Sequence, residues 1–89
     1  MEISDSVLEN AAPLFTALRT VYAGDNKLSE RKREDLTALT DGLYYALEKG
    51  NKKIIKAIWI GLKLALDGNK KAERKFSDVS EFLALYALI

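Results

Sequence analysis

The side chains of this sequence that could take part in catalysis are amines, guanidinium groups, carboxylates and hydroxyls, because the chain contains no histidine and no cysteine. Those two missing residue types supply many of the general bases, nucleophiles and transition-metal ligands of enzymes. The nearest approach to a catalytic cluster is Asp41 beside Tyr44 and Tyr45, on an otherwise ordinary turn of predicted helix. We therefore expect no catalytic residue, no metal site and no cofactor, and hence no enzyme.

Basic residues are concentrated between positions 49 and 75, where nine lysines and arginines are opposed by only Asp67 and Glu73. This segment has a net charge of +7, although the whole chain has a net charge of only +1. A local excess of positive charge of this size attracts polyanions or acidic proteins.

A second basic group, at positions 31–33, begins the predicted second helix. If neighbouring helices run in opposite directions, the second and fourth helices begin at the same end of the molecule, and two basic groups meet there. The predicted contacts for an anion or a nucleic acid are Arg31, Lys32, Arg33, Lys70, Lys71, Arg74 and Lys75. Four acidic side chains lie among them, at positions 30, 34, 35 and 73. The alternative interpretation is therefore a solvated, charged end of the molecule.

Helices must position these residues, and their boundaries can be predicted from apolar periodicity and capping residues. The predicted helices span approximately 4–23, 30–49, 52–67 and 70–88. Ser29 is the expected N-cap of the second helix. The pairs Gly50-Asn51 and Gly68-Asn69 each end one helix with a glycine and cap the next with an asparagine.

Two positions leave the helix boundaries open. Pro13 could break the first helix, but the apolar stripe keeps its phase across it and Pro13 falls on the solvent side, so we expect one kinked helix. Ser77 could begin a separate helix after a short piece over 70–76. No segment alternates apolar and polar residues as a strand would. We predict one all-α domain over residues 1–89, folded as a compact antiparallel four-helix bundle.

The third helix, in the segment KKIIKAIWIGLKLALDG over 52–68, is the most apolar part of the chain. Its lysines occupy a narrow arc, and isoleucine, leucine and tryptophan cover most of the remaining circumference. A helix of this kind must be surrounded, so we expect it to be central and mostly buried. A tryptophan-containing cationic helix also resembles membrane-surface peptides. We do not expect a membrane partner, because within a closed bundle the same apolar arc would form the core.

The end of the chain, EFLALYALI, carries more apolar surface than one neighbouring helix can cover. Apolar surface of this kind on a small protein indicates contact with another chain. The predicted self-association surface consists of Phe82, Leu85, Leu88, Ile89 and Tyr45. The alternative is that this end is clamped within the bundle.

These observations predict a non-enzymatic helical module of the adaptor, inhibitor or immunity type that binds another protein, itself or both, as a homo-oligomer. The alternative function is nucleic-acid binding through the basic stretch 49–75. The first ten residues lack the basic segment and apolar run of a secretory signal. Together with the absence of cysteine, this favours a cytoplasmic location.

Overall fold

The computed structural model describes residues 3–89, and all regular secondary structure in this range is helical. The four helices are α1 (Asp5–Gly24), α2 (Glu30–Lys49), α3 (Lys52–Ala65) and α4 (Lys70–Leu85). The prediction of a compact all-α protein with four helices is confirmed. The molecule measures 38 × 21 × 18 Å along its principal axes.

Each helix begins at a side-chain N-cap that accepts a hydrogen bond from the backbone N–H three residues later. The four capping residues are Ser4, Ser29, Asn51 and Asn69. Such a bond satisfies one of the backbone donors that the first helical turn leaves unpaired. Gly50 adopts φ 67° at the end of α2, a left-handed conformation that glycine adopts without steric cost. The boundaries between α2, α3 and α4 therefore follow from local residue chemistry.

The two boundaries that the sequence left open are both settled in favour of continuous helices. Pro13 is exposed within an unbroken α1, and Ser77 is exposed within an unbroken α4. By contrast, α3 ends at Ala65, two residues earlier than predicted. Leu66 caps α3 and is itself buried, with 1% of its surface exposed. The α3–α4 turn thus contributes to the core.

The core receives buried side chains from all four helices. α1 packs against both α2 and α4, and α2 packs against α3. Phe15 and Tyr44 meet edge to face across α1 and α2, with ring centroids 5.2 Å apart. Beside this pair, the Tyr22 hydroxyl lies 2.9 Å from Thr40 Oγ1 in the buried α1–α2 interface. Because Thr40 donates its own proton to the Leu36 carbonyl at 2.8 Å, the tyrosine is the donor.

The predicted central and mostly buried position of α3 is not confirmed. Within the helix itself, only Ile55 and Leu62 are buried. Ile54, Ile60 and Leu64 are 48%, 44% and 73% exposed. α3 packs extensively on α2 alone, and one neighbour covers only part of so wide an apolar arc. Much of the arc that we expected to be core is therefore surface.

Trp59 makes the principal side-chain connection between α3 and α4, whose backbones approach each other little in the described part of the chain. Its indole Nε1 donates to Ser80 Oγ at 2.8 Å. Its ring stacks on Phe76 with centroids 6.2 Å apart, and Lys63 Nζ lies 5.2 Å from the ring centroid. Trp59 thus joins α3 to α4 by a hydrogen bond and a ring stack.

Candidate interaction surfaces

The last turns of α4 form an exposed apolar surface. Leu85 is 78% exposed and Tyr86 is 39% exposed. Phe82 packs against Tyr86 with ring centroids 4.9 Å apart, and Phe82 and Ile89 are half-buried against the core. Three of the residues predicted for self-association, Phe82, Leu85 and Ile89, therefore lie near the end of α4 as expected. We call Phe82, Leu85 and Tyr86 the α4 surface.

Leu88 does not belong to this surface, and its assignment is corrected. Only 2% of Leu88 is exposed, and it is part of the hydrophobic core. Ala87 adopts φ 56° and turns the chain back. The Leu88 N–H then donates to the Leu83 carbonyl at 2.8 Å, and the Ala87 N–H donates to the Ala84 carbonyl at 3.0 Å. This pair of bonds is the Schellman ending of a helix, which brings the residue after the turn onto the preceding apolar face.

Tyr45, the fifth predicted self-association residue, is 61% exposed on α2. The Nζ of Lys49, one turn later, lies 5.2 Å from its ring centroid. Tyr45 is thus available to a partner, and its continuity with the α4 surface stays a prediction.

The basic residues are only partly assembled. Lys32, Lys70 and Lys71 line one cleft of about 1080 Å³ together with Lys27. The cleft lies between the α1–α2 loop and the α3–α4 turn, which are joined by a hydrogen bond from Asn69 Nδ2 to Asp25 Oδ2 at 3.1 Å. Three of the seven predicted residues, from the first turns of α2 and α4, therefore line the same cleft. Asp25 and Asp67 also line the cleft and reduce its positive charge.

The other four basic residues have different surroundings. Arg33 is half-buried, and its Nη2 donates to the carbonyls of Asp25 and Leu28 at 3.1 and 3.2 Å. The guanidinium takes the place of water at two carbonyls beyond the end of α1. Arg33 therefore holds the α1–α2 loop in place and does not face a ligand. Arg31, Arg74 and Lys75 are exposed and do not line the cleft. Their role in anion binding stays a prediction.

Asp41, the carboxylate considered for catalysis, has a structural partner. Asp41 forms an ion pair with Arg19 at 2.7 Å between α1 and α2. Burial raises the pKa of Tyr22 to about 12. Tyr22 is thus held as a neutral core hydroxyl.

Among residues 3–89, no cluster of three or more acidic side chains is placed to hold a metal ion.

Comparison of the chain with protein-family models, curated proteins and solved structures finds no match.

The exposed side of α3 is a surface that we did not predict. Ile60 and Leu64 lie two residues before and after the buried Leu62, which places both about 160° around the helix from it. A groove of about 540 Å³ lies between α2 and α3, lined by Ala38, Leu39 and Gly42 of α2 and by Ile58 of α3. The sequence signal for this surface was an apolar arc on α3 that is too wide for one neighbouring helix to cover.

No helix in the described range has the length and apolarity needed to cross a bilayer.

Proposed function

We propose that this protein is a non-enzymatic helical module that associates with itself, or with another protein, through the α4 surface. The observation that carries the proposal is Leu85, which is 78% exposed beside two aromatic rings at the end of a helix. Stable protein interfaces are built around such apolar and aromatic side chains. The chain has no cysteine, which is compatible with the cytoplasmic location that the proposal adopts.

The charge around the α4 surface also supports contact between two copies. Residues 76–89 include Asp78 and Glu81 but no lysine or arginine. Two identical copies facing each other at this surface would bring few like charges together, which a self-complementary interface requires. Burial of Leu85 would contribute at most about 1.5–3 kcal/mol, so the two aromatic residues are needed as well.

The proposal includes an antiparallel arrangement of the helices. Contacts between α1 and α2 run in opposite sequence directions, since the Tyr44 hydroxyl donates to the Leu8 carbonyl, whereas Arg19 pairs with Asp41. The turn between α2 and α3 is short enough to favour antiparallel neighbours. In this arrangement, α2 and α4 point the same way and the α4 surface lies at the end opposite the basic cleft.

The molar mass in solution tests the proposal, and α3 supplies a matched control. Leu85→Gln and Leu64→Gln each replace an exposed leucine, 78% and 73% accessible, with a polar side chain of similar length. We expect light scattering to show oligomers for the parent and for Leu64→Gln, and monomers for Leu85→Gln, with equal helical content. The proposed self-association is wrong if the parent remains monomeric at high micromolar concentration. It is also wrong if Leu85→Gln associates as the parent does.

The basic cleft supports a second candidate function, which is nucleic-acid binding. Lys27, Lys32, Lys70 and Lys71 come from three separate segments and line the same space. Lysine acts as a point charge rather than a bidentate reader of bases, so we expect phosphate binding without sequence preference. Binding that uses contacts to about four phosphates would weaken steeply as the salt concentration rises from roughly 50 to 200 mM.

Charge reversal within the cleft tests this second candidate. We expect Lys32→Glu with Lys71→Glu to abolish retention on heparin and binding to duplex DNA. The paired reversals Arg74→Glu and Lys75→Glu are the control, because they make the same charge change outside the cleft. Equal losses from the two pairs would indicate general attraction by the basic segment. No retention of the parent at low salt would exclude the candidate.

A further inference from the structure

We propose that the outer side of α3 binds the surface of an anionic lipid membrane, with Ile54, Ile60 and Leu64 inserted among the lipids and the surrounding lysines at the headgroups. We call these three residues the α3 outer face. The inference goes beyond the protein-binding function assigned to the α4 surface and does not depend on it.

The α3 outer face is exposed in the closed bundle. The buried residues Ile55 and Leu62 are both completely inaccessible, whereas Leu64 is 73% exposed. At a rise of 1.5 Å per residue, the apolar residues from Ile54 to Leu64 extend over about 15 Å. Binding to lipid therefore requires no opening of the bundle. The sequence-based expectation of no membrane partner had assumed that this apolar arc would lie inside a closed bundle.

The charge on α3 is entirely positive. Its residues from Lys52 to Ala65 include four lysines and no acidic residue. All four lysines are exposed, and the structure shows no ion pair for any of them within residues 3–89. Lys53 lies between Ile60 and Leu64 around the helix, while Lys56 precedes Ile60 by one turn. Unneutralised amines thus lie between two of the apolar residues and along the Ile60 side of the face.

These charges argue against a second copy of the chain as the partner of this face. In a two-fold contact through α3, the same lysines would approach each other from both molecules. Like charges brought together in an interface oppose association. The charge of this face therefore favours an anionic partner.

The residue types favour lipid over an acidic protein. Centres of protein interfaces are enriched in aromatic residues and arginine and depleted in lysine. The α3 outer face has aliphatic residues with lysine, and its helix contains no arginine. An interfacial helix has this composition, because aliphatic side chains enter the acyl region while lysine amines extend to the phosphates. Each lysine near an anionic surface adds a further attraction.

Vesicle binding tests the proposal. We would measure co-sedimentation of the full chain with vesicles of equimolar phosphatidylcholine and phosphatidylserine, and with vesicles of phosphatidylcholine alone. We expect binding to the anionic vesicles at least roughly tenfold tighter than to the neutral ones, since several lysines contribute. Absence of binding to the anionic vesicles would overturn the proposal.

Two variants separate insertion from charge attraction alone. Leu64→Gln should weaken binding to anionic vesicles by roughly tenfold, because an inserted leucine is lost. Lys53→Gln with Lys56→Gln should weaken it by at least as much. Leu85→Gln, an equivalent change on the α4 surface, should leave it unchanged. Circular dichroism should show the same helical content for all four proteins.

The remaining outcomes assign the face to another partner. If Leu64→Gln binds vesicles as tightly as the parent, the aliphatic residues do not insert and the proposal is wrong. If Leu64→Gln converts an oligomeric parent to monomers, the face contacts a second copy instead. Polyglutamate binding that needs Leu64, without vesicle binding, would indicate an acidic polypeptide. Loss of self-association in Leu85→Gln, by contrast, concerns only the function proposed for the α4 surface.

Discussion

Leu62→Ala and Leu64→Ala should differ greatly in their effect on stability, although the two leucines lie two residues apart on α3. Leu62 is completely buried and Leu64 is 73% exposed. Truncation of Leu62 removes its transfer free energy, about 1.5–3 kcal/mol, and leaves a cavity that the surrounding core fills only in part. We therefore expect a loss of about 3–4 kcal/mol for Leu62→Ala. Leu64→Ala should change the free energy of unfolding by less than about 0.5 kcal/mol, since it leaves no cavity.

Urea denaturation and thermal melting followed by circular dichroism measure the difference. For a domain of this size, each 1 kcal/mol corresponds to about 4–8 °C in Tm, so Leu62→Ala should melt on the order of 12–30 °C below the parent. Such a loss is a large part of the total stability of a small domain, about 5–15 kcal/mol. If the two variants melt within a few degrees of each other, α3 does not present Leu62 to the core and Leu64 to the solvent. The assignment of the α3 outer face would then be wrong as well.

Three further changes test individual contacts. Burial raises the pKa of Tyr22 to about 12 from 10.0, so the tyrosine of the unfolded chain ionises first as the pH rises. The parent should therefore lose about 2–3 kcal/mol of stability between about pH 10 and 12. Tyr22→Phe should show a smaller loss in urea titrations over this range, and an identical loss would contradict the buried hydroxyl. Ala87→Gly should raise the free energy of unfolding by about 0.5–1 kcal/mol, because glycine adopts φ 56° without steric cost; an unchanged or lower urea midpoint would argue against the turn. Ser80→Ala should cost about 1 kcal/mol, because the indole N–H of Trp59 loses its partner. It should shift the fluorescence of Trp59 to longer wavelength, because water replaces the serine hydroxyl at the indole; an unaltered emission maximum would show that this bond does not hold the ring.

The helix boundaries were predictable because they depend on residues close together in the sequence. Ser29, Asn51 and Asn69 cap the helices that follow them, and side-chain caps act over three residues. The buried residues of α1, α2 and α4 lie on apolar stripes that are narrow enough to favour one orientation of each helix. α3 differs because its apolar arc exceeds what its neighbours cover. The sequence shows that arc but does not show which part α2 will bury.

Two residues of the predicted sites were misplaced for local reasons. Leu88 enters the core through a left-handed turn at Ala87, and alanine gives no sign of such a turn as glycine would. Arg33 donates to two loop carbonyls, a role set by the path of the α1–α2 loop. A charged residue next to other charged residues is read from sequence as part of a surface cluster, so its inward orientation could not be anticipated.

The order in which the helices pack has a consequence for folding kinetics. α1 with α2 and α2 with α3 are contacts between consecutive helices, whereas α1 with α4 joins the first helix to the last. Contacts between sequence neighbours form early, and closing a long chain segment carries an entropic cost that slows the non-local contact. We therefore expect α4 to dock late, and its release would remove Phe76 and Ser80 from Trp59 while the α2–α3 contacts persist. A partner that binds the end of α4 only in the folded protein would then slow unfolding of the whole chain.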